Sequence, residues 1–77
     1  MSFNYEIKER VAVLSGSEDG TYTVEVNWIS YNGAEPKLDI RRWDRRTNRM
    51  LKGIALSTDE ARALEVALQK GKEEVDG

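Results

Sequence analysis

The segment TYTVEVNWISYNGAEPKLDIRRW, residues 21–43, holds the pattern that decides the fold. From Tyr22 to Trp28 the even-numbered residues are apolar or aromatic and alternate with mostly polar ones, which is the two-residue period of a β-strand. Asn32-Gly33 is a strong turn signal, and Pro36 cannot donate a backbone hydrogen bond to a neighbouring strand. The segment therefore predicts a strand over residues 21–31, a hairpin loop over 32–36 and a third strand over 37–43.

The chain on either side of this segment adds two more strands. In residues 5–14 one parity holds Tyr5, Ile7, Val11 and Val13 and the other holds Glu6, Lys8 and Arg10, with Glu9 as the exception, so a first strand is expected there. The polar turn of residues 15–20 joins it to the next strand. Residues 44–51, with Thr47-Asn48 at the tip, are typical of a second hairpin connection, and residues 52–56 predict a short fourth strand. The four strands are expected to form an antiparallel meander.

The C-terminal part of the chain predicts one helix. Ser57-Thr58-Asp59-Glu60 has the spacing of a capping box, in which the Ser57 hydroxyl accepts from the Glu60 amide and the Glu60 carboxylate accepts from the Ser57 amide. Apolar residues then recur at helical spacing, Gly71 is a natural C-cap, and residues 72–77 are expected to be a frayed acidic tail. The predicted fold class is α+β, a four-stranded antiparallel meander followed by one C-terminal helix (β-β-β-β-α), in a single domain over residues 1–77.

Composition narrows the classes of function. The chain has 77 residues, of which 39% are hydrophobic and 34% charged, and it contains neither Cys nor His. This removes disulfides, thiolate and imidazole metal sites and the residues of most nucleophilic and acid/base chemistry, so we expect no enzyme and no cofactor. A domain this small, with no disulfide or metal to stabilise it, favours a homodimer. The sequence has no apolar run long enough for a membrane span or a signal peptide, which predicts a cytoplasmic protein.

Charge is concentrated in one segment. The whole chain has a net charge of −2, but residues 37–52 carry seven basic and two acidic side chains, a net charge of +5, which leaves −7 on the remainder. A basic segment inside an acidic chain is typical of a surface that binds a polyanion. The alternative interpretation is a solvated arginine-rich hairpin with no ligand.

One helix can cover only one face of the sheet, so the other face is expected to be open. If Tyr22, Val24, Val26 and Trp28 are the covered core set, strand parity places cations and aromatic rings together on the open face: Lys8, Arg10, Asn27, Ile29, Tyr31, Lys37, Arg41 and Trp43. Cations contact phosphates and planar rings stack on unpaired bases, so this face predicts binding of single-stranded nucleic acid. In the alternative interpretation, Trp43 and Tyr31 close the edge of a core or of a dimer interface.

Segments spread over nearly the whole chain resemble the positive cofactor 4 family of transcriptional coactivators, and most closely its compact bacterial YdbC-like branch. The resemblance lies in the order and spacing of Tyr5-Glu6-Ile7, Ala12-Val13-Leu14-Ser15, Ser30-Tyr31-Asn32-Gly33, Pro36-Lys37-Leu38-Asp39-Ile40-Arg41-Arg42-Trp43 and Lys52-Gly53-Ile54, followed by Leu56 and a helix. It implies a homodimer with the helices at the dimer interface, which binds single-stranded DNA across the sheet surfaces.

The resemblance also implies roles for four residues. Trp43 matches the family's base-stacking Trp, Arg41 its phosphate-facing Arg, Lys52 the Lys before the Gly-Ile of the fourth strand, and Tyr31 the aromatic residue before the first basic hairpin. Two departures stand out. Tyr31 occupies a position where Trp or Phe is more usual, and Ala34-Glu35 places an acid in a loop that tends to be basic in the family.

The full set of candidate nucleic-acid-binding residues follows from these arguments together: Lys8, Arg10, Asn27, Tyr31, Asn32, Lys37, Arg41, Trp43, Arg45, Arg46, Arg49 and Lys52. The expected function is sequence-tolerant binding of single-stranded DNA, with a role in transcription regulation as a coactivator and with the transcription machinery as a further partner, in a nucleoid-associated protein. Two alternatives stay open. One is binding of single-stranded RNA, since neither stacking nor phosphate contacts read the 2′-hydroxyl; the other is a protein-interaction dimer whose arginine hairpin docks on an acidic partner.

Overall fold

The computed structural model describes the backbone of residues 4–75 and the side chains of residues 4–71. Four strands, β1 (Tyr5–Gly16), β2 (Tyr22–Tyr31), β3 (Lys37–Asp44) and β4 (Arg49–Leu56), are followed by one helix, α1 (Thr58–Val75). The strands form one sheet in the order β1-β2-β3-β4, and each pair of neighbours is antiparallel. The predicted fold class is therefore confirmed.

The turns lie where the sequence placed them. Asn32 and Gly33 both adopt positive φ angles, 52° and 77°, as the tight turn after β2 requires. Asn48, at the tip of the β3–β4 hairpin, also has a positive φ of 54°. Asn and Gly tolerate this left-handed region at the lowest cost, which explains their presence at these positions.

The register of the sheet defines two faces. Residues paired directly across neighbouring strands share a face, and the pairs Asn27–Asp39, Glu25–Arg41 and Thr23–Trp43 lie on one side while Val24–Arg42, Val26–Ile40 and Trp28–Leu38 lie on the other. We call the first side the Trp43 face, which holds Glu25, Asn27, Ile29, Tyr31, Asp39, Arg41 and Trp43. We call the second the Ile40 face, which holds Tyr22, Val24, Val26, Trp28, Leu38, Ile40, Arg42 and Ile54.

The sheet is strongly coiled, with the Trp43 face on the concave side. Tyr5 pairs with Tyr31 at one end of β2 and Trp43 pairs with Thr23 at the other end, yet the ring centroids of Tyr5 and Trp43 are only 6.1 Å apart. Register shifts accompany this coiling at three positions between β1 and β2 and at one between β3 and β4. Each such bulge adds a residue to one strand and increases the local twist.

The concave Trp43 face forms the core, and this corrects the predicted assignment of faces. Among the described residues, the buried apolar side chains are Ile29 and Trp43, with exposures of 0% and 1%. The set predicted as core, from Tyr22 to Trp28 on the Ile40 face, is half-buried or exposed. Strand parity grouped the side chains of β2 and β3 correctly, but coiling, and not the helix, decides which group is closed off from water.

The bulges also correct the prediction for β1. Simple alternation placed Lys8 and Arg10 opposite Tyr5 and Ile7. In the structure Lys8 lies at the shift between Ile7 and Glu9, and Arg10 pairs with Asn27 on the same face as Tyr5 and Ile7. An extra residue at a bulge reverses the parity of everything that follows it, so regular alternation fails in this strand.

The predicted capping box is present at the start of α1. The Ser57 amide donates to Glu60 Oε1 at 2.9 Å, and the Glu60 amide donates to Ser57 Oγ at 3.1 Å. The predicted C-cap at Gly71 is wrong, because Gly71 does not adopt the positive φ of a helix-ending cap and the helix continues to Val75. The predicted frayed tail thus begins inside the helix, and residues 76–77 lie outside the described part of the chain.

The helix leaves most of the sheet uncovered. It makes only a few contacts with β3 and β4, and its apolar residues Val66 and Leu68 are 65% and 64% exposed. The predicted two-layer packing, in which α1 covers one sheet face, is therefore wrong for the single chain.

Within residues 4–75, no helix has the length and apolar character needed to cross a membrane.

Burial of Trp43 predicts a large loss of stability on its removal. We expect Trp43→Ala to lower the free energy of unfolding by about 3–5 kcal/mol, because the indole fills the concave core and its loss leaves a cavity. Tyr22→Ala, which truncates an exposed aromatic of the Ile40 face, is the control and should cost about 1 kcal/mol or less. Denaturant melts of both variants measure the difference, and equal midpoints for Trp43→Ala and the parent would contradict the assignment of Trp43 to the core.

Candidate nucleic-acid interface

A buried acid–base cluster lies at the centre of the Trp43 face. The Asp39 carboxylate is fully buried and accepts hydrogen bonds from Arg41 Nε at 2.6 Å, from Arg41 Nη2 at 2.5 Å and from the Tyr31 hydroxyl. Burial and the hydrogen bond to Asp39 raise the pKa of Tyr31 to about 12. The Arg41 guanidinium, predicted to contact phosphate, is thus neutralised by a buried carboxylate of its own strand.

Gly53 makes room for this cluster. Arg41 pairs with Gly53 across β3 and β4, and its Nη1 donates to the backbone carbonyl of Leu51 at 3.0 Å. A Cβ atom at position 53 would lie 2.0 Å from Arg41 Cβ and 2.7 Å from the Ile40 carbonyl oxygen, which is closer than non-bonded atoms approach. The Lys-Gly-Ile segment of β4 therefore has its glycine for a packing reason.

A second paired arginine covers the buried tryptophan. Arg45 Cζ lies 4.6 Å from the centroid of the Trp43 ring, and its Nη2 and Nε donate to Glu25 Oε2 at 2.5 and 3.0 Å. Burial alone raises the pKa of Glu25, but hydrogen bonds from Arg45 and Thr23 outweigh it and hold the pKa below its ordinary value of 4.5. Arg45, held by Glu25, thus covers the Trp43 ring at the border of the core.

These contacts correct four of the predicted binding residues. Trp43 and Asn27 are each 1% exposed, so neither ring nor amide is available for stacking or for contact with a ligand on an open face. Arg41 and Arg45 are half-buried and held by Asp39 and Glu25. The expectation that the Trp43 face is an open platform is wrong, because the coiled sheet closes it.

Free cations lie on and beside the opposite, Ile40 face. Arg42, Arg49 and Lys52 are exposed and, within the described residues, make no ion pair. Arg42 and Lys52 border an open recess of about 620 Å³ whose floor includes Val24, Ile40 and Ile54. The recess therefore combines an apolar floor with two unneutralised positive charges at its rim.

An exposed aromatic ring adjoins this recess. Tyr22 is 38% exposed, and the Arg46 guanidinium lies over its ring at 5.4 Å from the centroid. Arg46 Nη2 donates to the Tyr22 hydroxyl at 3.0 Å and to Asp44 Oδ2 at 3.2 Å. A second recess beside Tyr22 shares Val24 and Arg42 with the first, so the two form one continuous groove, which we call the Arg42 groove.

The remaining predicted residues lie outside this groove. Lys8 is exposed and pairs with Glu6 at 3.1 Å, and Arg10 is exposed on the outer strand β1. Asn32 accepts a hydrogen bond from the Asn4 amide through Oδ1, so its side chain stabilises the turn. Lys37 lies close enough to Glu60 to lower the pKa of that carboxyl further, below the value set first by the Ser57 hydrogen bonds.

Two residues of the groove were missed by the sequence reasoning. Arg42 belongs to the basic segment of residues 37–52 but not to the candidate binding residues, and Tyr22 belongs to the predicted core. The alternation that set Arg41 and Trp43 on one face also set Arg42 on the other, so the signal for Arg42 was present. For Tyr22 no signal distinguished an exposed aromatic from a core one.

Comparison with known proteins gives one informative relative. A protein of Treponema pallidum (strain Nichols) described as uncharacterized is 39% identical over 62 residues, which cover 80% of this chain and 72% of the relative. No model of a protein family matches the chain. The description of the relative names no ligand.

The Glu25–Arg45 pair predicts a specific dependence of stability on pH. Because the folded-state pKa of Glu25 is lowered, its contribution to stability is present above its ordinary pKa of 4.5 and is lost as the pH falls through the lower folded value. We expect Glu25→Gln to reduce the slope of unfolding free energy against pH below 4.5, measured by urea melts across the acid range.

Arg45→Gln is the matched variant for this experiment. It leaves the same carboxylate buried without its partner, so we expect the free energy of unfolding to fall by about 1–3 kcal/mol at neutral pH. It should also reduce the slope of unfolding free energy against pH in the acid range. If both variants kept the slope of the parent, the pair would not contribute to acid sensitivity.

Proposed function

The chain belongs to one family with the Treponema pallidum protein, and we propose that it binds single-stranded nucleic acid in the Arg42 groove. The observation that carries this proposal is that the arginines are distributed over both faces of the sheet, and that they are neutralised on one face and not on the other. Arg41 and Arg45 are neutralised on the closed Trp43 face, whereas Arg42 and Lys52 make no ion pair with any described residue and lie beside an apolar, aromatic-edged groove on the Ile40 face. Binding, and not catalysis, is the role that this groove supports.

The cations of the groove suit a phosphate backbone. Arg42 and Lys52 lie at its rim and Arg49 lies near it on β4, opposite Asp44. Positive side chains that no carboxylate neutralises can release counterions from phosphates on binding, which is the main source of affinity for a polyanion. Paired arginines such as Arg41 contribute little to this term, since their charge is already compensated.

The apolar and aromatic parts of the groove suit unpaired bases. Tyr22 offers a ring held in place by Arg46, and Val24, Ile40 and Ile54 offer an aliphatic surface. Every base has an apolar face that packs on such surfaces, and stacking on an aromatic side chain contributes about 1–3 kcal/mol per base. Paired bases in a duplex keep their faces buried, so the proposed ligand is a single strand with tolerance for sequence.

DNA is the preferred candidate because of the resemblance to the positive cofactor 4 family, which also favours a role in transcription regulation. RNA is the second candidate, because the groove contacts proposed here do not involve the sugar. In either case the residues proposed to bind differ from those predicted: Arg42, Lys52, Arg49 and Tyr22 replace Trp43 and Arg41, which lie in the closed core. Arg46, paired with Asp44, holds the Tyr22 ring in place.

We also propose a homodimer formed through α1. The helix carries an apolar stripe of Ala61, Leu64 and Leu68, of which Leu68 is 64% exposed, while the described core of the single chain holds few fully buried apolar side chains. Burying the apolar stripe of the helix against a second copy would supply the hydrophobic contacts that α1 lacks on its own sheet. A two-fold pairing of helices satisfies both copies with one self-complementary surface.

The dimer is tested by sedimentation equilibrium at micromolar concentration. We expect the parent at twice the mass of the chain and Leu68→Glu at the mass of a single chain, because a charge replaces an apolar contact at the interface. Gln69→Glu adds the same charge one residue away, off the apolar stripe, and should remain dimeric. A parent that sediments as a folded single chain would exclude the dimer.

Binding is tested by titration with poly-dT, poly-rU and a duplex of equal length at several salt concentrations. We expect binding to poly-dT and little binding to duplex. Arg42→Ala and Lys52→Ala should each flatten the slope of log K against log salt by about 0.7 per lost phosphate contact. Lys8→Ala, which removes a cation already paired with Glu6 on the outer strand, is the control and should keep the slope of the parent.

Two outcomes would overturn this proposal. Slopes that stay unchanged in both groove variants but fall in Lys8→Ala would place the binding surface on β1. Absence of binding to either single strand, with retained binding to an acidic peptide, would favour the protein-interaction dimer instead.

A further inference from the structure

The recess beside Tyr22 has the size and lining of a pocket for one base. It has a volume of about 290 Å³ and is lined by residues of the β1–β2 hairpin together with Tyr22, Val24 and Arg42. The Tyr22 ring and the Val24 side chain give it an apolar surface, and its polar groups are the hydroxyls of Ser15, Ser17 and Thr23 and the guanidinium of Arg42. It forms one end of the Arg42 groove and shares Val24 and Arg42 with the larger recess.

Arg42 is the arginine that the surrounding protein leaves available there. The Asp44 carboxylate, two residues further along the same face, is held by Arg46 through Oδ1 and Oδ2 at 3.3 and 3.2 Å. Arg41 is held by Asp39, and Arg45 by Glu25. Within the part of the chain that the structure describes, the planar guanidinium of Arg42 therefore keeps its parallel N–H donors free, and such a fork suits two adjacent acceptors on one ligand.

We propose that this pocket accepts a guanine base of the bound strand, with Arg42 donating two hydrogen bonds to its O6 and N7 atoms. The proposal rests on the proposed function and adds a base preference to it. Guanine is the base whose Hoogsteen edge presents two neighbouring acceptors; adenine places a donor beside N7, and thymine offers one carbonyl. Tyr22 and Val24 would pack on the base faces while Arg42 reads the edge.

The preference is tested with short dT oligonucleotides that carry one central substitution. A single dG should bind about 5- to 150-fold more tightly than dT at the same position, the range expected for one bidentate arginine contact. Inosine keeps O6 and N7 and should bind like guanine. The 7-deazaguanine analogue lacks the N7 acceptor and should fall to the affinity of dT.

A variant separates base reading from charge. Arg42→Lys keeps the positive charge but loses the fork, so the ratio of dG to dT affinity should fall to about one. Arg62→Lys, an exposed arginine on α1, is the matched control and should keep both the ratio and the affinity of the parent.

The outcomes distinguish this inference from the function on which it rests. If the parent binds dT but shows no preference for dG, or prefers dC, the guanine pocket is wrong while single-strand binding stands. Equal affinity for guanine and 7-deazaguanine would also overturn it, because Arg42 would then contact only phosphate. If the parent binds no oligonucleotide, both proposals fail together.

Discussion

The rest of the structure depends on the buried ion pair between Asp39 and Arg41. Transfer of a carboxylate from water to a protein interior is costly unless its oxygens are fully hydrogen-bonded, and loss of one partner of such a pair typically costs about 3–5 kcal/mol. Here three donors satisfy Asp39, and Arg41 also reaches the Leu51 carbonyl of β4. One guanidinium thus joins β3 to β4, the Tyr31 hydroxyl joins β2 to the same carboxylate, and Gly53 leaves the space that this requires. The pair is shielded from water because the coiled sheet and the Tyr5 and Arg45 side chains close the Trp43 face.

Because the Trp43 face is closed, the side chains that stay accessible to a ligand lie mainly on the Ile40 face. Adjacent residues of a strand point to opposite faces, so the Arg41-Arg42 pair divides between the two sides of the sheet. Arg41 becomes part of the core, and Arg42 is left on the Ile40 face without a carboxylate partner in the described chain. The same division separates Trp43, which is buried, from Tyr22, which is exposed. A polyanion would therefore bind to the Ile40 face, whereas the sequence pattern of basic and aromatic residues at odd positions predicts the Trp43 face.

Local features of the fold could be predicted from the sequence, because they depend on nearby residues. The strands, the Asn32-Gly33 turn and the Ser57–Glu60 capping box each follow from residue type and spacing over a few positions, and the structure confirms them. The grouping of side chains in β2 and β3 was also correct. The choice of the buried face could not be predicted, since it depends on the coiling of four strands and on bulges in β1 that leave no clear mark in the sequence. Nor does a run of acids and bases reveal which members pair: Asp39 and Arg41 appear as two surface charges until the face that they share is known to be closed.

The helix α1, which has few contacts with its own sheet, links the proposed dimer to the proposed binding of nucleic acid. A sheet whose concave side is filled by its own side chains has little need of a covering helix, so α1 is free to use its apolar stripe for another purpose. If that stripe pairs two chains, each dimer carries two Arg42 grooves at fixed separation. A single strand long enough to reach both would meet the second groove at a high effective concentration, so its affinity would exceed that of either groove alone. Dimer formation through α1 would then strengthen binding in the groove without a single new contact to the nucleic acid.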